Sequence, residues 1–146
     1  MSFLSKQVLR FIVTVALVFG TSSAHADVSS EPIWAVMIEE ASAMPAPTGG
    51  ISRIRLVIDN FTGQAVTLTG ITSKQAETGA LVLVFPGRGA QDVRQLTIEH
   101  DNELDFGTSH VRAELRGLKT TFKAGDLVEF TLLLNGRAVP AAAHVH

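Results

Sequence analysis

Along most of this chain apolar and polar residues alternate with a period of two over short runs, each closed by glycine, proline or asparagine. Residues 51–59 (ISRIRLVID) are the clearest case. Ile54, Leu56 and Ile58 share one side and Arg53, Arg55 and Val57 the other, as in a strand with one buried face. Residues 60–64 (NFTGQ) supply a turn and 65–71 (AVTLTGI) alternate again, so the two runs read as a hairpin. Residues 33–41 (IWAVMIEEA) fit an opening strand, a short helix being the other reading. In 43–50 (AMPAPTGG) two prolines and a Gly-Gly pair mark a loop.

Further on, the polar residues 74–79 read as a loop or one helical turn, and 80–85 (ALVLVF), bounded by Gly79 and Pro86, as a strand buried on both faces. Residues 93–99 predict another strand, 100–106 (HDNELDF) an acidic connection with a short strand at its end. In 110–115 (HVRAEL) His110, Arg112 and Glu114 face one way and Val111, Ala113 and Leu115 the other. After a turn over 119–126 comes a strand at 127–134 (LVEFTLLL), then Asn135-Gly136, a favoured type I′ hairpin pair, and a last strand from 137 to 141 or a little beyond. Seven to nine short strands without helical periodicity predict an all-β fold, an antiparallel Greek-key β-sandwich. That architecture hosts many functions, so function has to be sought in particular residues.

The first 26 residues are patterned differently. Lys6 and Arg10 precede an apolar run, residues 11–19, and Ala24-His25-Ala26 has the A-x-A form of a cleavage site. The chain thus divides into a signal peptide, 1–26, and a single domain, 27–146, with a short His-containing C-terminal tail. The apolar run is too short to span a bilayer, so no membrane insertion is expected after cleavage near Ala26, and the expected location is the bacterial periplasm or the exterior. The leader carries two of the twelve Lys/Arg and none of the fourteen Asp/Glu, which leaves ten basic against fourteen acidic residues, a net charge of −4. A mildly acidic domain with no run of basic residues does not suit nucleic acid or anionic lipid. The absence of cysteine excludes a disulfide framework, thiol catalysis, iron–sulfur clusters and thiolate-ligated copper or zinc.

Residues 104–134 resemble the C-terminal half of PCu(A)C-type periplasmic copper chaperones: Gly107 in a turn, His110 opening a strand, then Gly117-Leu118, Gly125-Asp126 and the apolar run 127–134. More loosely, Trp34, residues 56–60 (LVIDN) and 68–72 (LTGIT) are similar to the family's first strands. The resemblance implies a cupredoxin-like sandwich and Cu(I) held by soft ligands, two of them a His-x-Met pair on one strand face. This chain keeps His110 but has Arg112 at the methionine position, Val82 and Val84 where a histidine is expected, and no methionine after Met44. A guanidinium beside His110 repels a metal ion, lowers the imidazole's proton affinity and suits an anionic group; Glu114, on the same face, is positioned by sequence to neutralise it.

Other donors lie elsewhere. His144 and His146 have the i, i+2 spacing that puts both imidazoles on one side of an extended chain, where with the terminal carboxylate they could chelate one Cu(II) or Zn(II); the other reading is a frayed tail. Met44, in the Pro-rich loop, offers a thioether, whereas Met37 reads as core. The acids around His100 read as a solvated connection, and Asn60-Phe61-Thr62 fits a glycosylation acceptor only in a eukaryotic secretory pathway. Ser109 and His110, being adjacent, face opposite ways, and no nucleophile elbow or phosphate loop occurs, so no enzyme is expected. Two functions follow. One is a copper-chaperone-like protein with a diverged site drawing on His110, His144, His146 and Met44, passing copper to a receiving envelope protein. The other is a metal-free relative of that family serving as a protein–protein interaction module of the envelope.

Overall fold

A computed structural model of the chain describes residues 36–108 and 110–146. Residues 1–26, expected to be a signal peptide, and Trp34 lie outside them. Ten strands and no helix are present among the described residues: β1 (Val36–Ala43), β2 (Ile51–Asn60), β3 (Val66–Thr72), β4 (Ala76–Phe85), β5 (Gly89–Val93), β6 (Leu96–Ile98), β7 (Glu103–Asp105), β8 (Val111–Leu118), β9 (Leu127–Leu134) and β10 (Arg137–Val145). They hydrogen-bond in the order β5-β4-β8-β2-β1-β10-β9-β3-β6, with β7 added to β2. The strand expected over 93–99 is broken at Arg94-Gln95. Val93 ends β5 at one end of this path and Leu96 begins β6 at the other, so two residues link the two ends and the sheet nearly closes on itself. Every ladder is antiparallel except the β1–β10 pair, which is parallel.

Alternation places the core. Ile54, Leu56 and Ile58 of β2, Ala113 and Leu115 of β8, and Val128, Phe130, Leu132 and Leu134 of β9 all point inward, where they form one cluster with Leu68, Ile71, Leu81 and Phe106. Arg53 and Arg55 face outward, as their spacing requires. Val82 is buried on the opposite face of β4, in register with Arg112 of β8 and Asp92 of β5, so the apolar run 80–85 is covered on both sides at its centre.

Two local expectations change. β2 and β3 do not pair: β2 lies against β1, β7 and β8, and β3 against β9 and β6. The turn at 60–64 carries the chain from one half of the sandwich to the other, and Asn60, buried to 1% exposure, holds that crossing. Its burial within the core also removes it as a glycosylation acceptor. The strand expected from Ala80 begins at Ala76 instead, because Glu77 and Thr78 occupy exposed positions and Gly79 lies where β4 passes the backbone of β3.

The Asn135-Gly136 turn forms as expected, both residues having positive φ (50° and 75°) as type I′ requires. The following strand runs on through Val145, well past residue 141. Ala143 and Val145 are buried, the Val145 amide donates to the Asp126 carbonyl, and the Gly125 amide donates to the Val145 carbonyl. Pro140 is accommodated because β1 meets β10 only at Ser42 and Ala43, leaving that edge of β10 without a strand partner at residue 140.

Candidate functional site

The outer face of β8 presents His110, Arg112, Glu114 and Arg116 in the order the alternation predicts. His110 is exposed, and its carbonyl accepts the Val84 amide at 2.9 Å, which ties the start of β8 to β4. Val82 and Val84 bring no donor atoms to this position. Among the described residues no group of three or more His, Cys, Asp or Glu side chains is gathered for a metal ion.

Glu114 does not neutralise Arg112. Its Oε2 accepts from Arg116 Nε at 3.0 Å, and the same guanidinium grips Asp92 of β5 with two parallel bonds of 2.8 Å. The fork geometry explains the choice, since Arg116 satisfies two carboxylates at once. The hydrogen bonds from Arg116 hold the Asp92 carboxyl below its ordinary range, and the two carboxylates push the guanidinium's already high pKa further up. A depressed carboxylate pKa contributes stability above the unfolded value and loses it as pH falls through the folded value. The stability difference between parent and Asp92→Asn is therefore expected to be present at neutral pH, to begin falling below about pH 4 and to vanish only once the pH has passed through the lowered folded value, read from urea midpoints at each pH. It should shrink in high salt, since Asp92 is exposed.

With Glu114 committed to Arg116, three arginines remain on this face. Arg53 and Arg55 of β2 and Arg112 of β8 line one cavity of about 240 Å³, together with Ile54 and the segment Phe106, Gly107 and Thr108. Arg53 stands opposite Glu114 in the β2–β8 ladder, whose last pair is Ile54 with Ala113, and Arg55 and Arg112 follow just beyond that end. None of the three has an ion pair or side-chain hydrogen bond among the described residues. Sequence reasoning placed Arg53 and Arg55 outward but did not bring Arg112 to them, because that meeting depends on the register of strands far apart in the chain.

The remaining sequence-predicted ligands assemble at a different seam. Parallel pairing sets His144 of β10 beside Ser42 of β1. The His146 amide then donates to the Ala43 carbonyl at 3.1 Å, which brings the last residue alongside the start of the 44–50 loop. Met44 is pinned on both sides, its amide donating to the Arg53 carbonyl at 3.0 Å and its carbonyl accepting the hydroxyl of buried Ser52 at 2.7 Å. Ala43, Ala143 and Val145 point inward, while Met44, His144 and His146 are exposed. His144, His146 and Met44 thus share one seam, and His110 is separated from it by β2 and β1. The tail is not frayed. A larger cavity, about 720 Å³ between Thr72–Gln75 and the outer sides of β9 and β10, contains none of these ligands.

No protein-family profile matches the sequence, and a comparison with curated proteins finds none that matches. Among solved structures the copper-bound PCuAC domain from PmoF2 superposes with a TM-score of 0.65 at 16% identity, over 77% of this chain and 92% of that one. The apo PCuAC domain from PmoF1 gives 0.65 at 12% identity, over 77% and 93%. The apo PCuAC domain of PmoF2 gives 0.60 at 19%, over 77% and 90%. The chain has a PCuAC-like fold, as the resemblance in residues 104–134 implied.

Proposed function

We propose that this is a copper-chaperone-like binding protein, exported through its 1–26 leader to the bacterial periplasm, whose copper site lies at the β1–β10 seam and is made by His144, His146 and Met44. The observation that supports this reading is the parallel pairing of Ser42 with His144, continued by the His146 to Ala43 hydrogen bond, which sets the backbone of residues 144–146 alongside residues 42–44. Two imidazoles about 6.5 Å apart along a strand, with a thioether on the adjoining strand, are a soft donor set that suits Cu(I). The likeness of the fold to a copper-bound domain supports the same cargo. Arg53 and Arg55 on neighbouring β2 temper the affinity for a cation. Together with the exposure of both histidines, this favours release to a receiving envelope protein over permanent storage. His110 takes no part in this site.

Anaerobic Cu(I) titration against a competing chelator tests it, with the full chain expressed, recovered from the periplasm and its N-terminus read by mass. One Cu(I) bound more tightly than micromolar is expected. Affinity should fall at least a hundredfold in the His144→Ala/His146→Ala double variant, about tenfold in Met44→Leu, and change less than about twofold in His110→Ala. Binding no tighter than micromolar in the parent sinks the copper reading in favour of the metal-free interaction module. A loss confined to His110→Ala returns the site to β8.

A further inference from the structure

A charged face with no internal partner calls for an explanation that copper does not supply. Like charges on adjacent strands destabilise a sheet, and Arg53, Arg55 and Arg112 converge on one cavity without an ion pair to any of them among the described residues. The contrast with Arg116 is informative, because four residues along β8 from Arg112 the same side chain is matched to two carboxylates. The cavity is also built in advance. Asp105 Oδ1 accepts the Gly107 amide at 2.6 Å and its carbonyl accepts the Thr108 hydroxyl at 2.9 Å, which fixes the loop that forms the cavity's third side.

Beyond Arg55 a second cavity of about 270 Å³ adjoins, sharing Arg55, Gly107 and Thr108 and lined also by Glu40, Ser42 and Asp105. The β-bulge between Glu39 and Ser42 shapes that wall, with Glu40 at φ 52°. The acids stay outside ion-pair distance of Arg55, so the basic end remains unneutralised.

We propose that Arg53, Arg55 and Arg112 form a binding site for a small oxyanion, the carboxylate or phosphate group of a soluble ligand, with the adjoining cavity receiving the rest of the molecule. Guanidinium forks match both groups through paired N–H···O bonds, and three of them lining one cavity, Arg53 and Arg55 exposed and Arg112 half-buried, hold a single anion more strongly than scattered surface charges do. This inference does not rest on the copper reading, whose metal-holding residues His144, His146 and Met44 do not line either cavity.

The test is a titration of the full-length, periplasm-processed protein with phosphate, succinate and citrate at ionic strength held constant with chloride. Arginine Nε–H NMR signals and calorimetry provide the readout. Saturable binding of at least one of them is expected, with the Arg53, Arg55 and Arg112 signals moving together. Affinity should drop about tenfold or more in Arg55→Gln and in Arg112→Gln, fall less in Arg112→Lys, which keeps the charge but loses the fork, and stay unchanged in Arg88→Gln, in the β4–β5 turn. Phosphate binding alone assigns the ligand class to phosphates, and carboxylate binding alone to organic acids. No saturable binding of any of the three overturns the proposal, as does an equal loss in Arg88→Gln. Thermal unfolding of each variant separates lost binding from lost folding, and removing one of three like charges should leave the midpoint level or slightly higher.

Discussion

Replacing Asn60 with alanine is expected to lower stability by about 3 kcal/mol, a fall of roughly 12 °C in the midpoint of thermal unfolding for a domain of this size. The side-chain amide donates to the carbonyls of Gln64 at 2.8 Å, Ile98 at 2.9 Å and Glu99 at 3.2 Å, and its oxygen accepts from the Thr62 amide at 3.0 Å and the Thr62 hydroxyl at 2.6 Å. Alanine leaves the buried Ile98 carbonyl and the buried Thr62 amide without these partners, and each such group costs about 1 to 3 kcal/mol. Asn60→Asp sharpens the test. An ionised carboxylate would face three carbonyls, which raises its pKa, so its penalty is full at neutral pH and is relieved as the group protonates on acidification. Urea midpoints for the parent and both variants between pH 3 and 7 check this. An alanine variant within about 0.5 kcal/mol of the parent would show that the crossing does not depend on Asn60.

The same residue explains why the hairpin expected across residues 60–64 does not form. NFTGQ has the composition of a hairpin turn, and the runs on either side alternate as hairpin strands do. What makes it a crossing is the link from Asn60 to Ile98 and Glu99, thirty-eight and thirty-nine residues away, and no local pattern carries that. The β9–β10 hairpin was legible because its determinant is local: two residues that tolerate positive φ between two alternating runs. The end of β10 was obscured for a different reason. In AAAHV the inward positions are Ala143 and Val145 and the outward ones Ala142 and His144, a contrast too faint to announce a strand, and the parallel partner that secures it lies about a hundred residues earlier.

The candidate sites divide along the same line. The outward direction of Arg53, Arg55, His110 and Arg112 follows from a period of two, and the PCuAC-like fold is what the family resemblance carried by Gly107, His110, Gly117-Leu118 and Gly125-Asp126 implied. The sequence holds no run of basic residues, yet the register of β2 against β8 builds a basic cavity from separated arginines. It also pairs Glu114 with Arg116 instead of Arg112, and the same Arg116 holds Asp92. Charge in this molecule is organised by strand register, which a one-dimensional pattern leaves undetermined.

Gly79→Ala is expected to destabilise by about 3 kcal/mol or more, against the direction that backbone propensity alone predicts. In a strand interior alanine is ordinarily favoured over glycine by roughly 0.5 to 1 kcal/mol. Here a Cβ would be driven into the carbonyl oxygen of Ile71, and would lie 2.7 Å from its carbonyl carbon and 3.0 Å from its Cγ2. The obstructing atoms are mostly backbone of β3, so no side-chain rotation clears them. β3 is held in turn by β9 and β6, and separating it from β4 opens the core between Ile71 and Leu81. Gly70→Ala, one residue before Ile71 on the same strand, is the control: its Cβ would meet only Leu133 Cδ1 at 3.6 Å, an ordinary contact, so it should be neutral or slightly stabilising. Opposite signs for the two substitutions in matched chemical denaturation would place the cost at the β3–β4 approach; equal and small effects would mean that the two layers separate there without penalty.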